Sequence, residues 1–323
     1  MFDYKDWYPI KLWEENGTVK IRWAFFGGLR FTEPFFDESM RKSRFSFYKD
    51  AEHACFDSDD TPLLVLKEKE QGILPTGFIF HMSRCGSTLT SQMLAASPRN
   101  IVLSEALPID SVLRLESVNP GEKEQLLLAV INALGRKRYP EEERLFIKFE
   151  SWNTFHLPLI KRLFPDVPWV FMYRDPIEVV VSHQRQRGIK MVPGLIPPKH
   201  FGLPNALFNG NVLDEYGVKI LSSICRNAIF HFQNIPNGRL INYSQLPEEV
   251  ELMLRDHFKV DLAMEEAEAM RKVSAINVKD PLKTPFQKDS FEKKQSATTE
   301  LTALVETFLT PEYQELEARR QRN

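Results

Sequence analysis

The stretch GFIFHMSRCGSTLTSQML, residues 77–94, constrains the fold more than any other part of the chain. It begins as an apolar run, breaks at a short polar loop around Gly86, and resumes with helical spacing. A buried strand, a tight glycine-containing loop and a helix in this order are typical of a phosphate-binding loop. The pattern therefore predicts an anion site where the helix begins.

The residue types in this loop indicate how an anion would be held. Gly86 lets the backbone approach closely, and Arg84 supplies a planar, permanently charged fork suited to phosphate or sulfate oxygens. The N–H groups that open the helix would point at the anion; they belong to Gly86, Ser87, Thr88 and Leu89. The alternative is that these residues only form a tight strand–helix turn.

The Gly-Lys-Ser/Thr ending of nucleotide kinases and ATPases is missing, because Ser87 follows Gly86 directly. That lysine normally reaches the β and γ phosphates, and the hydroxyl after it binds Mg²⁺. The loop therefore lacks the groups that normally bind a nucleoside triphosphate and its metal. A donor with a single 5′ phosphate and an attached anionic group fits the loop better.

Short apolar segments alternate with helical ones from residue 77 onward. We predict strands at GFIFHM, NIVLS, LFIKF, PWVFMY and RLINY, with amphipathic helices between them and a final helix after residue 299. This alternation favours an α/β domain whose central parallel sheet is covered on both faces. Residues 189–212 form a proline- and glycine-rich loop of the kind that often closes over a substrate.

Residues 1–75 are rich in aromatic residues, and the run TVKIRWAFF ends at Gly27-Gly28. This pattern predicts small antiparallel strands joined by tight turns. We therefore expect an N-terminal extension or small β-containing subdomain of unknown role over 1–75, and the α/β domain over 76–323.

Composition limits the partners of the chain. Its 42 Lys and Arg nearly balance 44 Asp and Glu, so nothing global points to nucleic acid or an anionic membrane. The three cysteines are odd in number and far apart, which favours a reducing compartment. We expect no signal peptide, no membrane span, no metal site and a cytoplasmic location. The pattern says nothing of the oligomeric state.

A second stretch, WVFMYRDPIEVVVSHQRQRG, places Arg174 at the carboxyl end of a strand and Ser182 two turns into the next helix. Together these two side chains could clamp one phosphate. Alternatively, Arg174 and Asp175 form a local ion pair at the start of the helix, and Ser182 is a surface hydroxyl.

The two stretches together resemble sulfotransferases that use 3′-phosphoadenosine-5′-phosphosulfate (PAPS). HMSRCGSTL is similar to their 5′-phosphosulfate loop and YRDPIEVVVS to their 3′-phosphate motif, in the same order and at a similar separation. The resemblance implies a three-layer fold like that of P-loop NTPases, with PAPS as co-substrate and no metal. It assigns the 5′-phosphosulfate to Arg84, Cys85, Gly86, Ser87, Thr88 and Leu89, and the 3′-phosphate to Arg174 and Ser182.

Two residues are candidates for the general base that takes the acceptor's proton. Glu105 follows the strand NIVLS, 21 residues after Arg84, and resembles the catalytic glutamate of the tyrosylprotein-type branch. His156, in NTFHLPL, is similar to the basic histidine of the cytosolic branch, but Lys148 lies eight residues before it rather than close by. The resemblance also implies that Lys148, at a strand end, contacts the sulfuryl group or the bridging oxygen.

The sequence leaves alternatives to sulfuryl transfer open. A P-loop kinase or other phosphotransferase is one, and a non-catalytic nucleotide- or partner-binding protein is another. The acceptor is a small molecule, sugar, lipid or peptide. Three late lysines are candidate contacts of the nucleotide or residues of a solvated basic loop: Lys283, Lys288 and Lys294.

Overall fold

The computed structural model describes residues 3–47, 55–204, 213–277, 284 and 289–322. An antiparallel sheet opens the chain, with β1 at Trp7–Glu15, β2 at Thr18–Phe25 and β3 at Cys55–Asp59. A two-residue turn joins β1 to β2, and Asn16 and Gly17 both have positive φ, 51° and 74°, as a type I′ hairpin turn requires. The predicted N-terminal strands are thus confirmed.

The aromatic residues of this N-terminal region form part of the core. Tyr8 and Phe26 are almost fully buried and pack against Phe31 with ring centroids 5.9 and 5.3 Å away. The helix α1 at Phe36–Phe47 lies between β2 and β3 in the chain, and α2 at Thr61–Lys69 follows β3.

The second sheet has five parallel strands in the order β5-β6-β4-β7-β8. The strands are β4 at Pro75–His81, β5 at Asn100–Ser104, β6 at Arg144–Lys148, β7 at Trp169–Tyr173 and β8 at Gly238–Asn242. The predicted α/β fold with a central parallel sheet is confirmed, and the predicted strand bounds shift by at most two residues. Every residue of β5, β6 and β7 is buried, as expected of strands covered on both faces.

Helices connect and cover these strands. They are α3 at Ser87–Ala95, α4 at Leu107–Arg114, α5 at Pro120–Leu134, α6 at Leu157–Leu163, α7 at Pro176–Arg185, α8 at Leu213–Asn234, α9 at Glu248–Leu252, α10 at Met264–Ser274, α11 at Ser290–Gln295, α12 at Thr299–Phe308 and α13 at Thr310–Arg320. The strand β1 packs on α4 and α5, which ties the N-terminal sheet to the α/β part. Within the described residues, no helix is long and apolar enough to cross a membrane.

Some predicted helices have a different form. The segment Ser151–His156 is a 3-10 helix that precedes α6, and the helix predicted after residue 299 is divided into α12 and α13. Pro311 accounts for the division, because its ring prevents the preceding turn from continuing as one helix. In the long loop, short 3-10 turns occur at Ile189–Met191 and Pro198–Phe201, and residues 205–212 lie outside the described residues.

The strand order decides where a site can form. The chain leaves β4 toward β5 at one edge, returns through β6, and then crosses to β7 on the other side of β4. The crevice beyond the carboxyl end of β4 lies where the connections diverge, and ligands bind at such switch points in open α/β sheets.

Candidate functional site

A cavity of about 500 Å³ opens at the carboxyl ends of the parallel strands. The loop after β4 forms one wall, with Ser83 to Leu89 all lining the cavity. Glu105 after β5, Arg174 after β7 and Ser182 on α7 also line it. The predicted anion-binding residues are therefore brought to one cavity, together with the candidate base.

The loop after β4 is tightly wound. Ser83, Arg84 and Gly86 all have positive φ, between 52° and 86°. A Cβ built on Gly86 would lie 2.5 Å from Leu246 Cδ1 and 2.8 Å from Tyr243 Cδ2, so only glycine fits. Gly86 has no side chain to cap α3, and the first N–H groups of that helix border the cavity.

Arg84 joins the two motifs directly. Its Nε donates to Ser182 Oγ over 3.0 Å, and its Nη2 donates to Gln186 Oε1 over 3.1 Å. The sequence predicts that Ser182 acts together with Arg174, whereas in the structure the Ser182 hydroxyl contacts Arg84. Arg84 and Ser182 are 98 positions apart in the sequence, so no local pattern predicts their contact.

Arg174 lies in a pocket of aromatic and acidic groups. Its guanidinium stacks 3.9 Å from the Tyr243 ring centroid. Nε donates to Glu178 over 2.5 Å, and Nη2 donates to Asp289 over 2.9 Å. Asp289 also pairs with Lys293 over 2.7 Å, so its carboxylate lies between two cations at the cavity wall.

Glu105 is placed by a strained backbone. Its φ is 54°, in a region that favours glycine, and its N–H donates to the Lys148 carbonyl over 2.8 Å, extending the pairing of β5 with β6. Oε1 lies 2.7 Å from Lys148 Nζ. Burial raises the pKa of Glu105, but the charge of Lys148 and the hydrogen bond of His81 outweigh it and hold that pKa well below its usual value. Glu105 is therefore ionised at neutral pH.

Lys148 is fully buried behind Glu105. Nζ donates to Ser104 Oγ over 3.2 Å and lies 4.9 Å from the centroid of the Phe35 ring. Among the described residues that line the cavity, Lys148 does not occur. It is placed as the counter-ion of Glu105, and its contact with a sulfuryl group stays a prediction.

His81 is a site residue that the sequence analysis missed. Nδ1 accepts the Ser83 N–H over 3.0 Å, and Nε2 lies 3.1 Å from the Phe149 carbonyl and 3.4 Å from Glu105 Oε1. Burial lowers the pKa of His81 to about 4, so the imidazole is neutral. The position of His81 directly before the loop is the one feature of the sequence that could have identified it as a site residue.

Lys190 was missed as well. It lies on the Ile189–Met191 turn, borders the cavity and pairs with Glu150. Burial lowers the pKa of Lys190, partly offset by the charges of Glu105 and Asp110. A lone lysine in a long loop carries no signal in the sequence, because its position depends on how the loop packs.

Other predicted residues lie elsewhere. His156 packs against the Trp152 ring, with centroids 5.3 Å apart, and is not among the described residues that line the cavity. Burial lowers the pKa of His156 to about 4. The Cys85 thiol is buried and donates to the Met172 carbonyl, so its side chain faces away from any anion.

The late lysines divide into two groups. Lys294 pairs with Asp175 over 2.7 Å, which joins α11 to the start of α7. Asp175 also caps α7 by accepting the Glu178 N–H. Lys283 and Lys288 lie outside the described residues.

Comparisons with known proteins point to one family. Residues 75–190 match the model of the sulfotransferase family. This match covers both motifs, and it confirms the resemblance inferred from the sequence; the tyrosylprotein-type branch stays a prediction. No curated protein matches the chain.

Several solved structures are similar to the chain. Sulfotransferase STF9 from Mycobacterium avium is 12% identical, with 78% of this chain and 79% of that one covered and a TM-score of 0.48. The sulfotransferase domain from the curacin biosynthetic pathway is 17% identical over 73% and 98% of the two chains, with a TM-score of 0.43. A sulfotransferase from Alicyclobacillus acidocaldarius is 14% identical over 77% and 97%, with a TM-score of 0.41. These TM-scores lie below 0.5, so the likenesses by themselves establish neither fold nor function.

Proposed function

We propose that this transferase moves the sulfuryl group of PAPS to a hydroxyl or amine acceptor, because residues 75–190 match the model of the sulfotransferase family. One observation carries the proposal: the ionised Glu105 carboxylate lines the same cavity as the Arg84 loop and Arg174. A proton acceptor and two cationic anion sites therefore share one space. The family match and the missing Gly-Lys-Ser/Thr ending favour this reaction over a kinase reaction.

The loop after β4 suits the 5′ end of such a donor. Its backbone N–H groups at the start of α3 and the Arg84 guanidinium supply hydrogen-bond donors for anionic oxygens at the cavity wall. The crowded position of Gly86 keeps the loop in this form. Ser182 and Gln186 hold the Arg84 side chain, so its fork is oriented before a ligand binds.

The surroundings of Arg174 suit the 3′ phosphate. A phosphate there would replace the Asp289 carboxylate, which now pairs with Arg174 and Lys293. Tyr243, stacked on Arg174, and Glu178 keep the guanidinium in place. Ser182 Oγ accepts from Arg84 Nε and keeps its O–H free to donate, so orienting Arg84 does not prevent it from bonding to this phosphate.

Glu105 is the proposed general base. It is already ionised, it borders the cavity, and its carboxylate is held by Lys148 and His81. His156, the other candidate, is not among the described residues that line the cavity, and its side chain packs on Trp152. The geometry therefore supports Glu105 over His156.

The reaction requires little covalent chemistry from the protein. The bond from sulfur to the phosphate oxygen breaks, a bond from sulfur to the acceptor oxygen or nitrogen forms, and the acceptor's proton passes to Glu105. 3′-Phosphoadenosine-5′-phosphate then leaves, with its charge held by Arg84 and the N–H groups of the loop. Orientation and electrostatic stabilisation account for most of the rate in such transfers.

The acceptor would lie between Glu105 and the turn at Ile189–Met191. Phe35 and Met191 supply apolar surface there, and Lys190 and Glu150 supply charge. This position supports the predicted role of the long loop in closing over the substrate.

The proposal is tested by titrating 3′-phosphoadenosine-5′-phosphate into the protein in a calorimeter. We expect binding that weakens at least about tenfold in Arg84→Ala and in Arg174→Ala, since each loses a charge-assisted contact. Glu105→Gln should keep most of the affinity but lose about 100-fold or more in transfer from PAPS to a panel of acceptors. Absence of binding, or affinity unchanged in both arginine variants, would contradict the proposal.

A further inference from the structure

The ends of three neighbouring strands meet at one buried imidazole. His81 ends β4 and is 4% exposed. Its ring touches the Phe149 carbonyl just past β6, Glu105 just past β5, and Ser83 in the loop. None of the residues that we assign to binding PAPS or the acceptor substrate makes these three contacts.

The contacts determine which ring nitrogen carries the proton. The Ser83 backbone N–H can only donate, so His81 Nδ1 must accept over the 3.0 Å that separates them. The proton of the neutral ring is then on Nε2. Nε2–H donates to the Phe149 carbonyl oxygen over 3.1 Å, and the charged Glu105 Oε1 lies beside that bond, 3.4 Å from the same nitrogen.

We propose that His81 is a positioning residue, whose Nε2–H holds the Glu105 carboxylate in the orientation that accepts the acceptor's proton. This inference rests on the proposed function, in which Glu105 is the base. Both His81 and Lys148 contact Oε1 of Glu105, which leaves Oε2 as the oxygen that takes the proton.

The other charged groups around Glu105 differ from His81 in charge and in shape. Lys148 on β6 and Lys190 on the 189–191 turn are the cations that face it, and Asp110 on α4 is a nearby carboxylate. Lys148 is fully buried and bonded to Ser104, so it also holds Glu105 in place, but as a positive charge without the fixed plane of a ring. The imidazole of His81 is buried and tied at both nitrogens, so its direction stays constant.

Neutrality also matters to this role. A cation beside a carboxylate weakens it as a base, because it stabilises the ionised form. Burial keeps the pKa of His81 at about 4, so the ring orients Glu105 above pH 5 without adding a positive charge. When Glu105 takes a proton through Oε2, Oε1 remains an acceptor for the same N–H.

The alternative is that His81 only stabilises Ser83 in the loop. Two substitutions separate the contacts. The amide of Asn ends one bond earlier than that of Gln, so His81→Asn places an oxygen near the Nδ1 position and keeps the Ser83 contact alone. His81→Gln places an N–H near the Nε2 position and keeps the Glu105 contact alone.

His231→Asn is a matched control. His231 is also buried, its pKa is also lowered to about 4 by burial, and it is not among the described residues that line the cavity.

The experiment measures kcat for transfer from saturating PAPS and the Kd of 3′-phosphoadenosine-5′-phosphate. We expect His81→Asn to lose about 10- to 100-fold in kcat, in the range seen when a partner that orients a reactive group is removed, with Kd within about threefold of wild type. The kcat of His81→Gln should be at least about tenfold higher than that of His81→Asn. The acid limb of the kcat profile should move to higher pH in His81→Asn, because a hydrogen bond that stabilises ionised Glu105 is lost, and should stay in place in His81→Gln.

The inference is overturned if His81→Asn keeps wild-type kcat, or if Gln is the inactive variant and Asn the active one, since activity would then follow the Ser83 contact. A stability cycle of His81→Asn and Glu105→Gln needs no turnover. We expect the double variant to lose less in Tm than the sum of the single variants. If the losses in Tm are additive, His81 and Glu105 do not interact and the inference is refuted. If they are not additive but the protein neither binds the nucleotide nor transfers sulfuryl, only the proposed function is refuted.

Discussion

The buried ion pair of Lys148 and Glu105 allows a sharp test of how the site is built. Lys148→Met keeps the length and most of the volume of the side chain but removes its charge. Glu105, whose side chain is only 17% exposed, is then left without its counter-ion. The variant should be markedly less stable at neutral pH, although the core is filled as before.

The magnitude follows from the geometry. At 2.7 Å and an effective dielectric constant of about 20, the two charges attract by about 6 kcal/mol. Desolvation offsets part of this attraction, and removal of one partner from a buried pair typically costs about 3–5 kcal/mol. At about 2 °C per kcal/mol for a chain of this size, Tm should fall by about 6–10 °C.

The loss should depend on pH. In the wild type the pKa of Glu105 is below its usual value despite burial, so its contribution to stability is present at neutral pH and is lost as pH falls through the acid range. In Lys148→Met, burial dominates and raises the pKa of Glu105, so that variant loses stability as pH rises through the raised value. The difference between the two proteins should therefore shrink from pH 8 to pH 5.

Calorimetric melting of wild type, Lys148→Met, Glu105→Gln and the double variant measures the effect. The double variant should melt above Lys148→Met, because no uncompensated charge is left buried. Lys272→Met is the matched control: Lys272 and Glu268 lie 2.8 Å apart, but both are exposed, so its Tm should not change measurably. An unchanged Tm in Lys148→Met, or a double variant that melts below it, would refute the electrostatic account.

Two further predictions concern groups at the cavity. Asp289→Asn should bind 3′-phosphoadenosine-5′-phosphate about tenfold more tightly in calorimetry, because a carboxylate that competes for Arg174 is removed; weaker binding would show that Asp289 assists the ligand instead. Burial lowers the pKa of His81 to about 4, whereas unfolded histidine titrates near 6.5, so stability in urea should fall as pH drops through that window. The fall should be shallower in His81→Asn, and an equal slope would contradict a buried neutral imidazole.

The sequence alone was sufficient to predict the strands of the parallel sheet and the tight loop after β4. The strand NIVLS was predicted at the residues where β5 occurs, and the helix that carries Ser182 was predicted where α7 occurs. These features depend on interactions between residues close in the chain: apolar runs, a proline at the first turn and a glycine in a tight loop. Local signals of this kind do not depend on the rest of the fold.

Which side chains meet was decided by the tertiary structure. Arg84 and Ser182 both belonged to predicted motifs, but their mutual contact was not foreseen, since it depends on β4 lying beside β7. The order of the strands also brings β6 beside both β4 and β5, and so collects His81, Lys148 and Glu105 at one point.

The sequence thus determined the residue types at each strand end, because these follow directly from local patterns. The strand order and the packing of the long loop then determined the partners of each group and hence its charge state. Glu105 illustrates the division. Its position after a strand marked it as a candidate base, but the pKa of that carboxyl depends on Lys148, 43 residues later in the chain, and on His81, 24 residues earlier. Electrostatic interactions act through space, so only the folded chain sets their strength.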